Sequence, residues 1–200
     1  IYYWIGKWFN VKKSSVVIQR HSIKIKGREY CKWIDDNYFL VGKAYFYKGE
    51  YDEAINTFIF IKNEYKKNEI SFEASLWLIK SYVMKKDFNS AEAELIRIEN
   101  TRKFPKNLSV DLAKVSADFY LQQDNYSLAI KQLKVINKLI KRNRKKERYN
   151  YIMAQIYQLE KKFKLAKQKY KQVLKTNPEY DMVFSAKMNL AQSLESGSKD

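Results

Sequence analysis

The sequence predicts an all-α protein, a right-handed α-solenoid of tandem helix-turn-helix units with about 10 or 11 helices. Three observations carry that expectation. Several columns recur at spacings of 37, 38 and 37 residues. Apolar positions within each copy fall three, four and seven apart, the period of a helix, without the sustained alternation of a strand. Only 5 Gly and 2 Pro interrupt 200 residues, of which 46% are hydrophobic and 16% aromatic, ample for a continuous core.

The first column is Tyr45, Tyr82, Tyr120 and Tyr157, and the aromatics Tyr51, Phe88, Tyr126 and Phe163 keep the same spacings. So do Ala54, Ala91, Ala129 and Ala166, then Phe58, Leu95, Leu133 and Tyr170, then Ile61, Ile98, Ile136 and Val173. A small residue, Gly42, Ala117 or Ala154, precedes the second-helix Ala by 12 positions, because antiparallel helices approach closely only where side chains are small. The second copy has Ile79 there, so its helices are expected to splay slightly.

These columns set the expected organisation: a single solenoid over 1–200, with a partial repeat at 1–34, repeats at 35–71, 72–109, 110–146 and 147–179, and the first helix of a further unit at 180–200. YYWIGKWF at residues 2–9 parallels YFLVGKAYF at 38–46, and Ala191 lies 37 after Ala154. The sequence therefore reads as a piece cut from within a longer solenoid. Connectors are expected at KFPKN (103–107), RNRKKER (142–148) and TNPE (176–179), and a longer link at 22–34 with a turn at Lys26-Gly27.

The small residue, the Tyr three later, the turn aromatic, the Ala and the large residue four after it resemble the tetratricopeptide repeat. Tyr38, Gly42, Tyr45, Ala54 and Phe58 carry this in the first copy. Ala154, Tyr157, Ala166, Tyr170 and Pro178 carry it in the fourth. The units are longer than the standard repeat of about 34 residues. Residues 17–47, VIQRHSIKIKGREYCKWIDDNYFLVGKAYFY, are similar to the large tetratricopeptide lipoproteins of Bacteroidota that serve gliding motility and type IX secretion. That resemblance implies an assembly factor on the periplasmic face of the outer membrane, in contact with secretion-system components. A plain cytoplasmic location is the alternative. No lipobox accompanies it, since Cys31 follows Arg-Glu-Tyr.

Catalysis has little to stand on. One His and one Cys exclude a His-rich or repeated-Cys metal site, and the five glycines are scattered singly, so there is no phosphate loop. No cofactor or metal is expected. His21 reads as a helix-end residue, and Asp35-Asp36 as acids at a helix N-terminus. No stretch approaches the roughly 20 apolar residues that span a bilayer, so membrane contact is expected only through a lipid anchor outside this sequence.

Net charge is +17. Residues 131–175 hold 16 Lys and Arg against Glu147 and Glu160, with the basic patch Lys141, Arg142, Arg144, Lys145, Lys146 and Arg148 inside that stretch. A nucleic acid or another polyanion is thus an alternative partner, although solvated helix faces absorb lysine freely and the interleaved aromatics mostly occupy core columns. The preferred reading is a non-catalytic scaffold that holds a protein or peptide in its concave groove, which the first helix of each pair lines. Candidate residues are Phe39, Lys43, Phe46 and Tyr47 in the first copy and Lys80, Val83 and Met84 in the second. Lys114, Asp118, Leu121 and Gln122 follow in the third, with Gln155 and Gln158, beside Arg148, in the fourth.

Overall fold

In the computed structural model the chain is described for residues 23–25, 28–30, 34–66, 68–141 and 146–196. It divides into two compact units, Ile1–Ser109 and Val110–Asp200. The first opens with two short antiparallel strands, β1 (Ile23–Ile25) and β2 (Arg28–Tyr30), with Ile23 opposite Tyr30 and Ile25 opposite Arg28. The sequence reading expected only a link there; the β-branched Ile23 and Ile25 favour an extended backbone. The expected turn residues Lys26 and Gly27 lie outside the described residues, as do residues 1–22 of the partial repeat expected over 1–34.

Helices follow in pairs. In the first unit α1 (Ile34–Lys48) pairs with α2 (Tyr51–Glu64), and α3 (Ile70–Met84) with α4 (Phe88–Glu99). A single 3-10 turn, Lys106–Leu108, follows Pro105. The second unit carries α5 (Ser109–Gln122), α6 (Tyr126–Leu139), α7 (Glu147–Leu159), α8 (Phe163–Leu174) and α9 (Tyr180–Ser196). The architecture is all-helical apart from the hairpin, with nine helices among the described residues. No described helix is long and apolar enough to cross a membrane.

One turn is built four times. Gly49, Lys86, Asp124 and Lys161 take left-handed φ angles of 83°, 64°, 56° and 57°. The next residue's N–H then reaches back to the tyrosine carbonyl of the preceding helix: Glu50 to Tyr45 at 3.0 Å, Asp87 to Tyr82 at 2.9 Å, Asn125 to Tyr120 at 2.9 Å and Lys162 to Tyr157 at 2.7 Å. This is the Schellman closure of a helix C-terminus. Asp87 and Asn125 also cap the following helix, their side chains accepting from the Ser90 and Leu128 N–H groups.

The columns bury as expected. Ala54, Ala91, Ala129 and Ala166 are fully buried, and so are Phe58, Leu95, Leu133 and Tyr170 within 2%. Gly42 must be glycine for reasons of space: a Cβ there would lie 2.6 Å from the Phe58 ring. Tyr170 satisfies its hydroxyl on Gln158 Oε1 at 2.8 Å, and burial pushes its phenol well above the usual tyrosine range. In α9 the small residue turned inward is Ala186, at 0% exposure, and Ala191 is exposed, because the face of α9 that meets α8 carries Ala186, Leu190 and Ser193.

An ionic network around the buried Glu94 carboxylate ties three helices of the first unit. Glu94 on α4 accepts from Lys62 Nζ of α2 at 3.0 Å and from Arg97 Nη2 at 2.7 Å, and Arg97 Nη2 also donates to Ser75 Oγ of α3 at 2.8 Å. Burial pushes the Glu94 carboxyl upward, but the hydrogen bonds and charges of Arg97 and Lys62 outweigh it and hold the group below the usual carboxylate range.

Three outcomes follow from this packing. Gly42→Ala should lower stability by about 1–3 kcal/mol in urea denaturation, since the Phe58 ring must leave its rotamer. Lys86→Gly, relieving a left-handed lysine, should raise it by about 0.5–1 kcal/mol. Because the folded Glu94 pKa is depressed, its contribution is present above the ordinary carboxylate pKa and fades as pH falls toward the lower folded value. Glu94→Gln should therefore lose about 1–3 kcal/mol at pH 7 and show a flatter loss of stability on acidification below about pH 5, measured by denaturation at a series of pH values.

Candidate protein-interaction surface

The α1 and α3 faces of the first unit meet at Trp77. Its indole lies edge-to-face with Phe46 (5.3 Å, 88°), Tyr47 (5.7 Å, 71°) and Phe39 (6.5 Å, 90°). Two lysines lie on these rings: Lys80 Nζ is 4.1 Å from the Trp77 centroid, and Lys43 Nζ is 4.0 Å from that of Phe39 and 5.1 Å from Trp77. The local cause is helical register. Phe39, Lys43, Phe46 and Tyr47 recur at four, three and one along α1, and Trp77, Lys80 and Met84 at three and four along α3, so each set shares one face. Ring quadrupoles hold the ammonium groups over the aromatic surface without neutralising them.

Most first-unit candidates read from the sequence come together here. Tyr47 is 51% and Met84 47% exposed, while Lys43, Phe46 and Lys80 are half-buried. Two do not belong to the surface. Phe39 is a core side chain, packed edge-to-face on Phe58 at 6.0 Å, and Val83 is likewise buried, at 3% exposure. Both sit at register positions that turn toward neighbouring helices. Trp77 was not among the candidates. Its spacing of three to Lys80 and seven to Met84 was the signal that could have found it.

The remaining candidates lie on the second unit. Lys114 donates to Asp111 at 2.8 Å; burial depresses its ammonium, but the Asp111 hydrogen bond and charge win and hold the pKa above the usual lysine value. Asp118, Gln122 and Gln155 are exposed, Leu121 packs against the unit's core, and Gln158 is the acceptor for Tyr170. Of the basic patch, Lys141 and Arg148 are exposed and Lys146 is half-buried. Arg142, Arg144 and Lys145 lie outside the described residues, as do His21 and Cys31. Asp35 and Asp36 occupy the first turn of α1, as expected, and burial followed by repulsion from Asp35 raises the Asp36 carboxyl. Among the described residues no three His, Cys, Asp or Glu side chains converge on a metal position.

No protein-family model and no curated protein sequence matches the chain. Eleven chains of solved structures do. Among them is the crystal structure of MamA protein, a tetratricopeptide-type helical protein. It is 18% identical, with a TM-score of 0.53 over 82% of this chain and 88% of that chain. The fold is that of tetratricopeptide-like helical repeats. At this identity the likeness is one of fold. Such repeats are typically non-catalytic, and they commonly bind protein along stacked helix faces.

Proposed function

We propose that this chain is a non-catalytic protein-protein interaction scaffold, and that a partner segment lies on the α1 and α3 surface around Trp77. The observation that carries this is the exposed Tyr47 and Met84 beside two lysines held on aromatic faces. Rigid aromatic area gives contact at low entropic cost, and methionine adapts to the partner's shape. The two lysines make the aromatic surface basic, so the segment that fits combines apolar and acidic side chains.

The narrower reading is an assembly factor of the type IX secretion and gliding machinery, held at the periplasmic face of the outer membrane by a lipid anchor outside this sequence. It rests on the resemblance of residues 17–47. The polyanion reading for residues 131–175 has the charge but lacks stacking platforms, since Tyr157 and Tyr170 are buried and Tyr149, Tyr151 and Phe163 partly so.

The test is affinity capture from membrane extracts of a gliding bacterium, with cross-linking and identification of what is held. The triple variant Lys43→Glu, Tyr47→Ala, Lys80→Glu should fold, as judged by circular dichroism, and lose about tenfold or more of the wild-type capture. Equal capture by the variant would remove the Trp77 surface from the proposal. Capture without any secretion-system component would remove the gliding role.

A further inference from the structure

Lys62, Ser75, Glu94 and Arg97 form the ionic network of the first unit. Advancing each by 75 residues, two repeat lengths, gives Asn137, Asn150, Lys169 and Gln172 in the second unit. These four are also joined. Asn137 Nδ2 donates to Asn150 Oδ1 at 2.9 Å, and Lys169 Nζ donates to the same oxygen at 3.3 Å and to Gln172 Oε1 at 3.0 Å. What has changed is the sign of the centre: a lysine stands where the first unit has its carboxylate.

The second network lines a cavity of about 570 Å³, completed by Lys146, Lys175 and Thr176. Three lysines thus line one space, with no Asp or Glu among its described lining residues. The Glu147 carboxylate lies at its edge, accepting at 3.2 Å from the hydroxyl of Thr176, one of the lining residues. Residues 142–145 lie outside the described residues, but they read Arg-Asn-Arg-Lys and bring no acid. Burial and then repulsion from Lys134 depress the Lys169 ammonium, a cost that a bound anion would relieve.

The amides add a second requirement. Lys169 has only donors, so the Asn150 atom facing it must be the carbonyl oxygen, and Asn137 must therefore turn its own amide nitrogen to that oxygen. This leaves Asn137 Oδ1 buried with no hydrogen-bond partner among the described residues. A buried acceptor without a donor costs about 1–3 kcal/mol. A ligand that fits must bring negative charge and also an O–H or N–H.

We infer that this cavity binds a phosphate monoester carrying a neighbouring hydroxyl or amide N–H, its phosphate taking the place that the Glu94 carboxylate fills in the first unit. A phosphate matches three lysines better than a carboxylate does, because it carries close to two charges and three strong acceptor oxygens. The volume is in the range of small-molecule pockets and leaves room for the body of the ligand. Two sources share this chemistry, a free sugar phosphate and a phosphoserine side chain. The inference does not depend on the Trp77 surface.

The test is calorimetry and thermal shift on the whole 200-residue chain with glucose 6-phosphate, with a blocked phosphoserine tripeptide, and with the unphosphorylated forms of both. Saturable binding of either phosphorylated probe, absent for its unphosphorylated form, is expected, and the tighter of the two identifies the source. Lys169→Glu restores the first unit's residue type, so it should keep or raise the melting temperature while weakening binding about tenfold or more. Lys175→Ala, at an exposed position on the rim, should weaken it less and leave the fold unchanged. Binding of neither probe, undiminished binding by Lys169→Glu, or binding of a single-stranded RNA without either monoester would overturn the inference.

Discussion

Two antiparallel helices joined by a short turn with one left-handed residue approach most closely where one of them gives up its side chain. Everything regular in this protein depends on that contact. The alanine that opens each second helix is sealed to 0% exposure in all four pairs, and in the first pair Gly42 admits the Phe58 ring to the helix backbone. Close approach fixes the angle between the helices, the angle fixes which residues face the next pair, and the next pair repeats the geometry. The volume across the contact is shared differently in each copy. Gly42 accompanies Phe58, Ile79 accompanies Leu95, Ala117 accompanies Leu133, and Ala154 accompanies Tyr170. The largest rings, Phe58 and Tyr170, stand opposite Gly42 and Ala154, whereas the second pair sets two large side chains, Ile79 and Leu95, against each other and buries both.

With the framework fixed, the copies are free to differ in charge. The same four columns hold a compensated ionic network in the first unit and an uncompensated basic one in the second. In the first, a buried carboxylate is outweighed by two cations and remains ionised. In the second, lysine nitrogens and amides converge, with no acid among the described lining residues. Repeat proteins acquire sites in this way, by substituting polar residues at positions whose backbone is already held by neighbouring copies. The aromatic-lysine surface around Trp77 arose by the same route, from positions adjacent to the core columns.

The left-handed turn residues show where reading the sequence stops. Gly49, Lys86, Asp124 and Lys161 keep the repeat spacing and one backbone conformation, yet share no side-chain chemistry. Their common property is a φ angle, imposed by the hydrogen bond that closes each helix, and nothing in the residue types records it. Phe39 and Trp77 show a different limit. Both are aromatic, next to core columns and of helical spacing, and both have Lys43 on a face, but only the neighbouring helices decide that Phe39 is buried and Trp77 partly open.

By itself the sequence determined the helical period, the pairing of helices, the small and large columns and the likeness to tetratricopeptide repeats, because each is a one-dimensional pattern tied to a local geometry. The tertiary structure decided which polar residues meet. The Glu94 network and the Lys169 cavity each join side chains from three helices of one unit, up to 39 residues apart along the chain. No local pattern carries that convergence, since it exists only once packing has brought the helices together.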